Sequence, residues 1–95
     1  MTDVLNPDAL HHELDRLDGW DGTSKEGISK RYKFGDFAGS IAFVNRLAEH
    51  AEQVGHHPDL AISWDMVTVT YVTHSAGGVT QADIEQARAV DDLRS

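Results

Sequence analysis

The sequence predicts an α+β domain of order α-β-β-α-β-β-α, with a four-stranded antiparallel sheet covered on one face by helices. Three observations predict it. Apolar residues recur at helical spacing in three segments. Between those segments lie two pairs of short stretches in which apolar and polar residues alternate. Turn-forming residues separate the members of each pair, so both pairs read as hairpins.

The first helix is capped by Asn6, with Pro7 in its first turn, and carries Leu10, Leu14 and Leu17 on one face. Gly19 is its expected end. Trp20 to Ser24 reads as a short strand and Glu26-Gly27 as a turn. Ile28 to Phe34 reads as the next strand, with Ile28, Tyr32 and Phe34 sharing a parity. Lys30 sits on that apolar side and is expected to snorkel.

The second helix runs from about Phe37 to Val54, capped by Asp36, with Ile41, Val44, Ala48, Ala51 and Val54 as its expected apolar face. Gly39 inside it costs about 1 kcal/mol relative to alanine, which points to a close contact there. Gly55 ends it. Leu60, Ile62 and Trp64 alternate, and Asp65 is the expected hairpin turn. The following strand is expected from Met66 to His74, with Val67, Val69 and Tyr71 on one face. Gly77-Gly78 breaks the chain. Thr80 is the expected cap of a last helix carrying Ile84, Ala87, Val90 and Leu93.

Ninety-five residues make a single domain, 1–95. A chain of this size buries only about 60–65% of its unfolded surface. Open strand edges add a reason to associate. The expectation is a homo-oligomer, homodimer or homotetramer, joined through a sheet edge or the long helix. Sixteen acidic residues against eight basic ones give a net charge of −8. Such a surface is a poor partner for nucleic acid or anionic lipid. Cysteine is absent, which removes disulfides and thiolate metal ligands. The first ten residues lack the basic and apolar regions of a signal peptide, and no apolar stretch is long enough to span a membrane. A cytoplasmic location is the default expectation.

Three histidines stand out. His56 and His57 follow the second helix directly, and His74 closes a strand. Imidazole titrates near neutrality, so such side chains can hand protons in both directions. Three histidines can also hold zinc or serve structure alone. Adjacent histidines point apart, however, and no His-x-x-x-His pair is present. Asp83 lies three residues after Thr80, which also suits a capping box. Glu52 suits a solvated helix face, and Trp20 and Trp64 suit a core or a pocket wall. His11, His12 and His50 read as helix surface.

Glu52, three intervening residues, His56-His57-Pro58, then Trp64, His74 and Asp83 form a spaced set. That set resembles the signature of the pterin-4a-carbinolamine dehydratases. Gly19-Trp20 and Phe34-Gly35-Asp36-Phe37 resemble further family segments, and the likeness covers about Leu10 to Leu93. Many members carry tryptophan two residues after the proline, where this chain has Leu60. The departure touches one aromatic wall of the pocket, not the acid-base set.

The resemblance implies a 4a-hydroxytetrahydropterin substrate, left when an aromatic amino acid hydroxylase uses its pterin. Loss of water gives a quinonoid dihydropterin, with no metal and no cofactor. It implies His56, His57 and His74 as catalytic residues, with His56 and His74 moving protons and His57 mainly holding the pterin. Glu52 and Asp83 would orient histidines, and Pro58 and Trp20 would belong to the substrate-binding surroundings. The same resemblance leaves a second reading open, because some relatives act as dimerisation cofactors or assembly factors.

Overall fold

The computed structural model describes residues 3–94 and has the expected order of elements. They are α1 (Pro7–Asp15), β1 (Asp21–Thr23), β2 (Gly27–Lys33), α2 (Phe37–Val54), β3 (Asp59–Ser63), β4 (Met66–Tyr71) and α3 (Gln81–Arg94). The four strands form one antiparallel sheet in the order β1-β2-β4-β3. The fold is α+β.

Local chemistry accounts for the helix ends. Asn6 Oδ1 accepts from Ala9 N at 2.8 Å, and Asp36 Oδ1 accepts from Gly39 N at 2.6 Å. Gly55 closes α2 with a left-handed φ of 71°, which glycine adopts without strain. The close contact at Gly39 is with its own cap. A Cβ there would stand 2.8 Å from Asp36 Oδ1 and 3.3 Å from Phe34 Cβ.

Inward residues of the sheet meet the helices. Ile28 stands opposite Tyr71, Tyr32 opposite Val67, and Lys30 opposite Val69. All but Lys30 are buried, with Leu10, Trp20, Phe43, Leu47, Val79, Ile84, Ala87 and Val90 completing the core. Lys30 does not snorkel to water. Its Nζ lies 2.8 Å from Asp91 Oδ1, and Asp91 also accepts from Tyr32 Oη at 2.5 Å and Trp20 Nε1 at 3.3 Å.

Several boundaries differ from the sequence reading. Helix α1 ends at Asp15, and a turn carries Leu17, whose N–H donates to Leu14 O. Strand β1 starts at Asp21, so Trp20 lies before it. The buried residues of α2 are Ser40, Phe43, Leu47 and Ala51; of the expected stripe Ala51 is buried and Val44 packs partly buried against the core, whereas Ala48 and Val54 are exposed. Both stripes are apolar, and the bulky Phe43–Leu47 pair takes the core. Strand β4 stops at Tyr71, because β2 and β3 offer no partners past Gly27 and Asp59. Thr73 then bridges to Gly78, and His74 lies in the turn between. His50 is half-buried rather than free surface, its Nε2 2.7 Å from Gln86 Oε1.

Candidate active site

One end of the sheet gathers the C-terminus of α2, the start of β3, the turn after β4 and the N-terminus of α3. Glu52, His56, His57, Pro58, His74 and Asp83 all fall there. Gly55 reverses the chain out of α2 and delivers His56 and His57 at once. Pro58, with its fixed φ, leads the chain extended into β3 at Asp59.

Asp83 is the fixed point. It is fully buried in the first turn of α3, where a carboxylate suits the helix dipole. Its Oδ2 accepts from Thr80 N at 2.8 Å and Thr73 Oγ1 at 2.7 Å, and its Oδ1 stands 2.6 Å from His56 Nε2. The carboxylate therefore both caps α3 and holds His56. Thr80 contributes the N–H rather than a capping hydroxyl, since its Oγ1 pairs with Thr73 Oγ1 at 2.9 Å. With a carboxylate at Nε2, that nitrogen carries the proton and donates it. Nδ1 of His56 is left as the uncommitted nitrogen.

The other face of His56 is equally constrained. Its ring stacks on Tyr71, with centroids 5.6 Å apart and planes 8° from parallel. The Tyr71 hydroxyl is buried without a hydrogen-bond partner among the described residues. Burial, helped by the Asp83 charge, pushes that hydroxyl up to about 12. Tyr71 thus stays protonated through the neutral range and supports the imidazole as a flat surface.

His57 and His74 are solvent-facing. His57 Nε2 lies 2.5 Å from Glu52 Oε2, one turn back on α2, and both side chains are largely exposed. His74 Nε2 lies 3.7 Å from Asp59 Oδ2, and its side chain is 78% exposed. Asp59 was not among the residues singled out by the sequence; its place directly after Pro58 was the available signal. Among the described residues no three His, Asp or Glu side chains are grouped as metal ligands.

Two tryptophans sit apart from this end. Trp20, expected in the substrate-binding surroundings, is 4% exposed in the core. It packs behind Tyr71 at 6.2 Å and donates to Asp91, so its reach to the site is indirect. Trp64 is 63% exposed in the β3–β4 turn, at the opposite end of β3 from Asp59. Neither expected position for Trp64, core or pocket wall, describes it.

The pattern named "Pterin 4 alpha carbinolamine dehydratase" matches residues 3–93. The chain belongs to the pterin-4a-carbinolamine dehydratase family. A protein of Thermosynechococcus vestitus, assigned provisionally by name to that dehydratase, is 47% identical over 93 residues, covering 98% of this chain and 97% of its own. One from Nocardia farcinica, named likewise, is 44% identical over 97% of this chain and 96% of its own. A crystal structure of a transcriptional coactivator/pterin dehydratase from Brucella melitensis superposes with a TM-score of 0.90 at 34% identity, covering 98% of this chain and all of the other. A pterin dehydratase-like protein described as a RuBisCO assembly factor in the alpha-carboxysome gives 0.70 at 28% identity, over 82% and 92% of the two chains.

Proposed function

We propose that this family member dehydrates a 4a-hydroxytetrahydropterin to the quinonoid dihydropterin by histidine acid-base catalysis. The observation that carries the reading is the His56–Asp83 pair, an imidazole locked by a buried carboxylate beneath and an aromatic ring beside it. Hydroxide leaves C4a only when protonated, and a ring nitrogen must lose a proton. His56 Nδ1 and the His74 imidazole are the groups suited to these two transfers, each worth about 10²–10⁴-fold when positioned. His57, turned by Glu52, holds the pterin edge. No metal or cofactor enters the scheme. The upstream partner is an aromatic amino acid hydroxylase that releases the carbinolamine.

The deciding experiment is carbinolamine dehydration by the purified protein, followed by ultraviolet absorbance, with Asp83→Asn alongside. The parent should accelerate the reaction clearly above its spontaneous rate. Asp83→Asn should lower kcat by about 10- to 100-fold, because His56 loses the charge that fixes its tautomer. A parent rate equal to the uncatalysed one would remove the enzymatic reading. A second reading, a protein-interaction or assembly module, is favoured by the likeness to the RuBisCO assembly factor. Retention of His56, His57 and His74 supports the enzyme first.

A further inference from the structure

Basic side chains are few in this chain and unevenly placed. Four of the eight, Lys30, Arg31, Lys33 and Arg94, line one cavity of about 440 Å³ together with Asp18 and Asp91. Four cations less two carboxylates leave that lining at +2, on a chain whose total is −8.

The topology explains the opening. β1 pairs with β2 only as far as Ser29, whereas β2 continues to Lys33. Among the described residues, no strand therefore lies on the flank of β2 from Lys30 to Lys33. Phe34 N donates to Asp65 O on the β4 side. The alternation of an antiparallel ladder then turns the peptide groups of Arg31 and Lys33 the other way, onto the open flank. Arg94 Nη2 donates to the Lys33 carbonyl there at 2.9 Å, with its guanidinium 4.4 Å from the centre of the Phe34 ring. That fork is held in place and keeps further donors to offer.

The charges are unequal in what they leave over. Lys30 is matched by Asp91 at 2.8 Å. Among the described residues, none of Arg31, Lys33 and Arg94 is ion-paired. Asp91 is occupied by Lys30, Tyr32 and Trp20, so it offers little to a cation. The surplus in the cavity is of donors and positive charge.

We infer that this cavity binds a compact oxyanion, a phosphate or carboxylate group, between Arg31, Lys33 and Arg94. A guanidinium fork meets such a group through two parallel hydrogen bonds, and strand-edge N–H groups add donors. The site is separate from the histidines. Lys33 pairs with Met66 and Ile28 with Tyr71, five residues apart along β2, which is roughly 16 Å.

Amide chemical-shift titration and calorimetry at fixed ionic strength test it, with inorganic phosphate in one arm and citrate in the other. The expected result is saturable binding in at least one arm, with Kd below about 10 mM and shifts centred on Arg31, Lys33 and Arg94. Saturation by phosphate alone assigns a phosphate ligand, and by citrate alone a carboxylate. The Arg31→Ala/Lys33→Ala double variant should bind at least about tenfold more weakly. Arg94→Gln, which keeps a donor for the Lys33 carbonyl, should weaken binding about threefold or more and decides the matter if the double variant fails to fold. Shifts that never saturate in either arm, or undiminished binding by the variants, overturn the proposal.

Discussion

At the scale of single residues, the histidines differ in how firmly they are held. His56 is clamped between Asp83 and the Tyr71 ring, whereas His74, among the described residues, is paired with Asp59 alone, at 3.7 Å and with both side chains largely exposed. They also come from different directions, one from the loop after α2 and one from the turn after β4. The carbinolamine carbon is a stereocentre, so its hydroxyl can leave from either face of the ring. His56→Ala should slow one epimer much more than the other, and His74→Ala should show the reverse bias. Removing both should cost far more than removing either. Equal losses on both epimers from each single variant would dismiss the two-sided arrangement. Tyr71 invites a separate test. Its hydroxyl is buried, unpaired among the described residues, and ionises only near 12, above its ordinary 10.0. A group whose folded value is raised contributes stability that is complete below about pH 10 and is lost as pH climbs towards 12. Tyr71→Phe keeps the ring and removes the hydroxyl. The unfolding free energy from urea titration should therefore be equal or higher at pH 7, by up to about 1 kcal/mol, and should fall less steeply between pH 10 and 12. A large loss at pH 7 would mean that the hydroxyl has a partner.

Between elements, a polar tie joins β2 to the last turns of α3. Asp91 accepts from Lys30, Tyr32 and Trp20, and the Lys30 side chain is only 18% exposed. Asp91→Ala strands three donors, one of them charged. It should destabilise the protein by about 2–4 kcal/mol in urea unfolding, below the full cost of a buried ion because Lys30 can lean outward. A loss under about 1 kcal/mol would show the cluster to be incidental. This tie also marks where reading the sequence stops. The caps at Asn6 and Asp36 and the stop at Gly55 were legible, because each bonds within a few residues of itself. Lys30 on an apolar parity was a visible anomaly, but its partner lies 61 residues away and leaves no local trace. The α2 stripe was partly misphased for a related reason. Two adjacent apolar stripes satisfy the same helical period, and only packing against β2 and β4 selects Phe43 and Leu47. The end of β4 likewise depends on where its neighbours stop. Asp83 could be read both as a cap and as a site residue, and one carboxylate with two oxygens takes up both contacts.

For the whole molecule, the β3 edge is a place, besides the histidine end and the β2 flank, where the fold leaves chemistry open. The order of elements was readable from apolar periodicity and turn residues, and the family from the spaced motif, since both rest on sequence distances. What surrounds the edge was not. All five residues of β3 are exposed, and among the described residues it pairs only with β4. Leu60 stands opposite Val69 and Ile62 opposite Val67, so both lean to the helix-covered face of the sheet. There Val67 and Val69 are fully buried, yet Leu60 and Ile62 remain 38% and 45% exposed, because the helices do not reach the last strand. An uncovered edge with alternating apolar residues is a template for another strand, and it carries no lysine or proline to discourage one. We expect a second copy to satisfy it. Two β3 edges meeting antiparallel about a two-fold axis extend the sheet and bring each Leu60 and Ile62 towards its copy. The parent should therefore run as a dimer or a larger even assembly in light scattering at micromolar concentration. Ile62→Lys places a charge on that face without touching the core or the histidines, and should shift the mass to the monomer while far-ultraviolet dichroism stays native. A parent that is monomeric at that concentration would count against association altogether. A variant that keeps the parental mass would move the contact away from β3, towards the exposed side of α2.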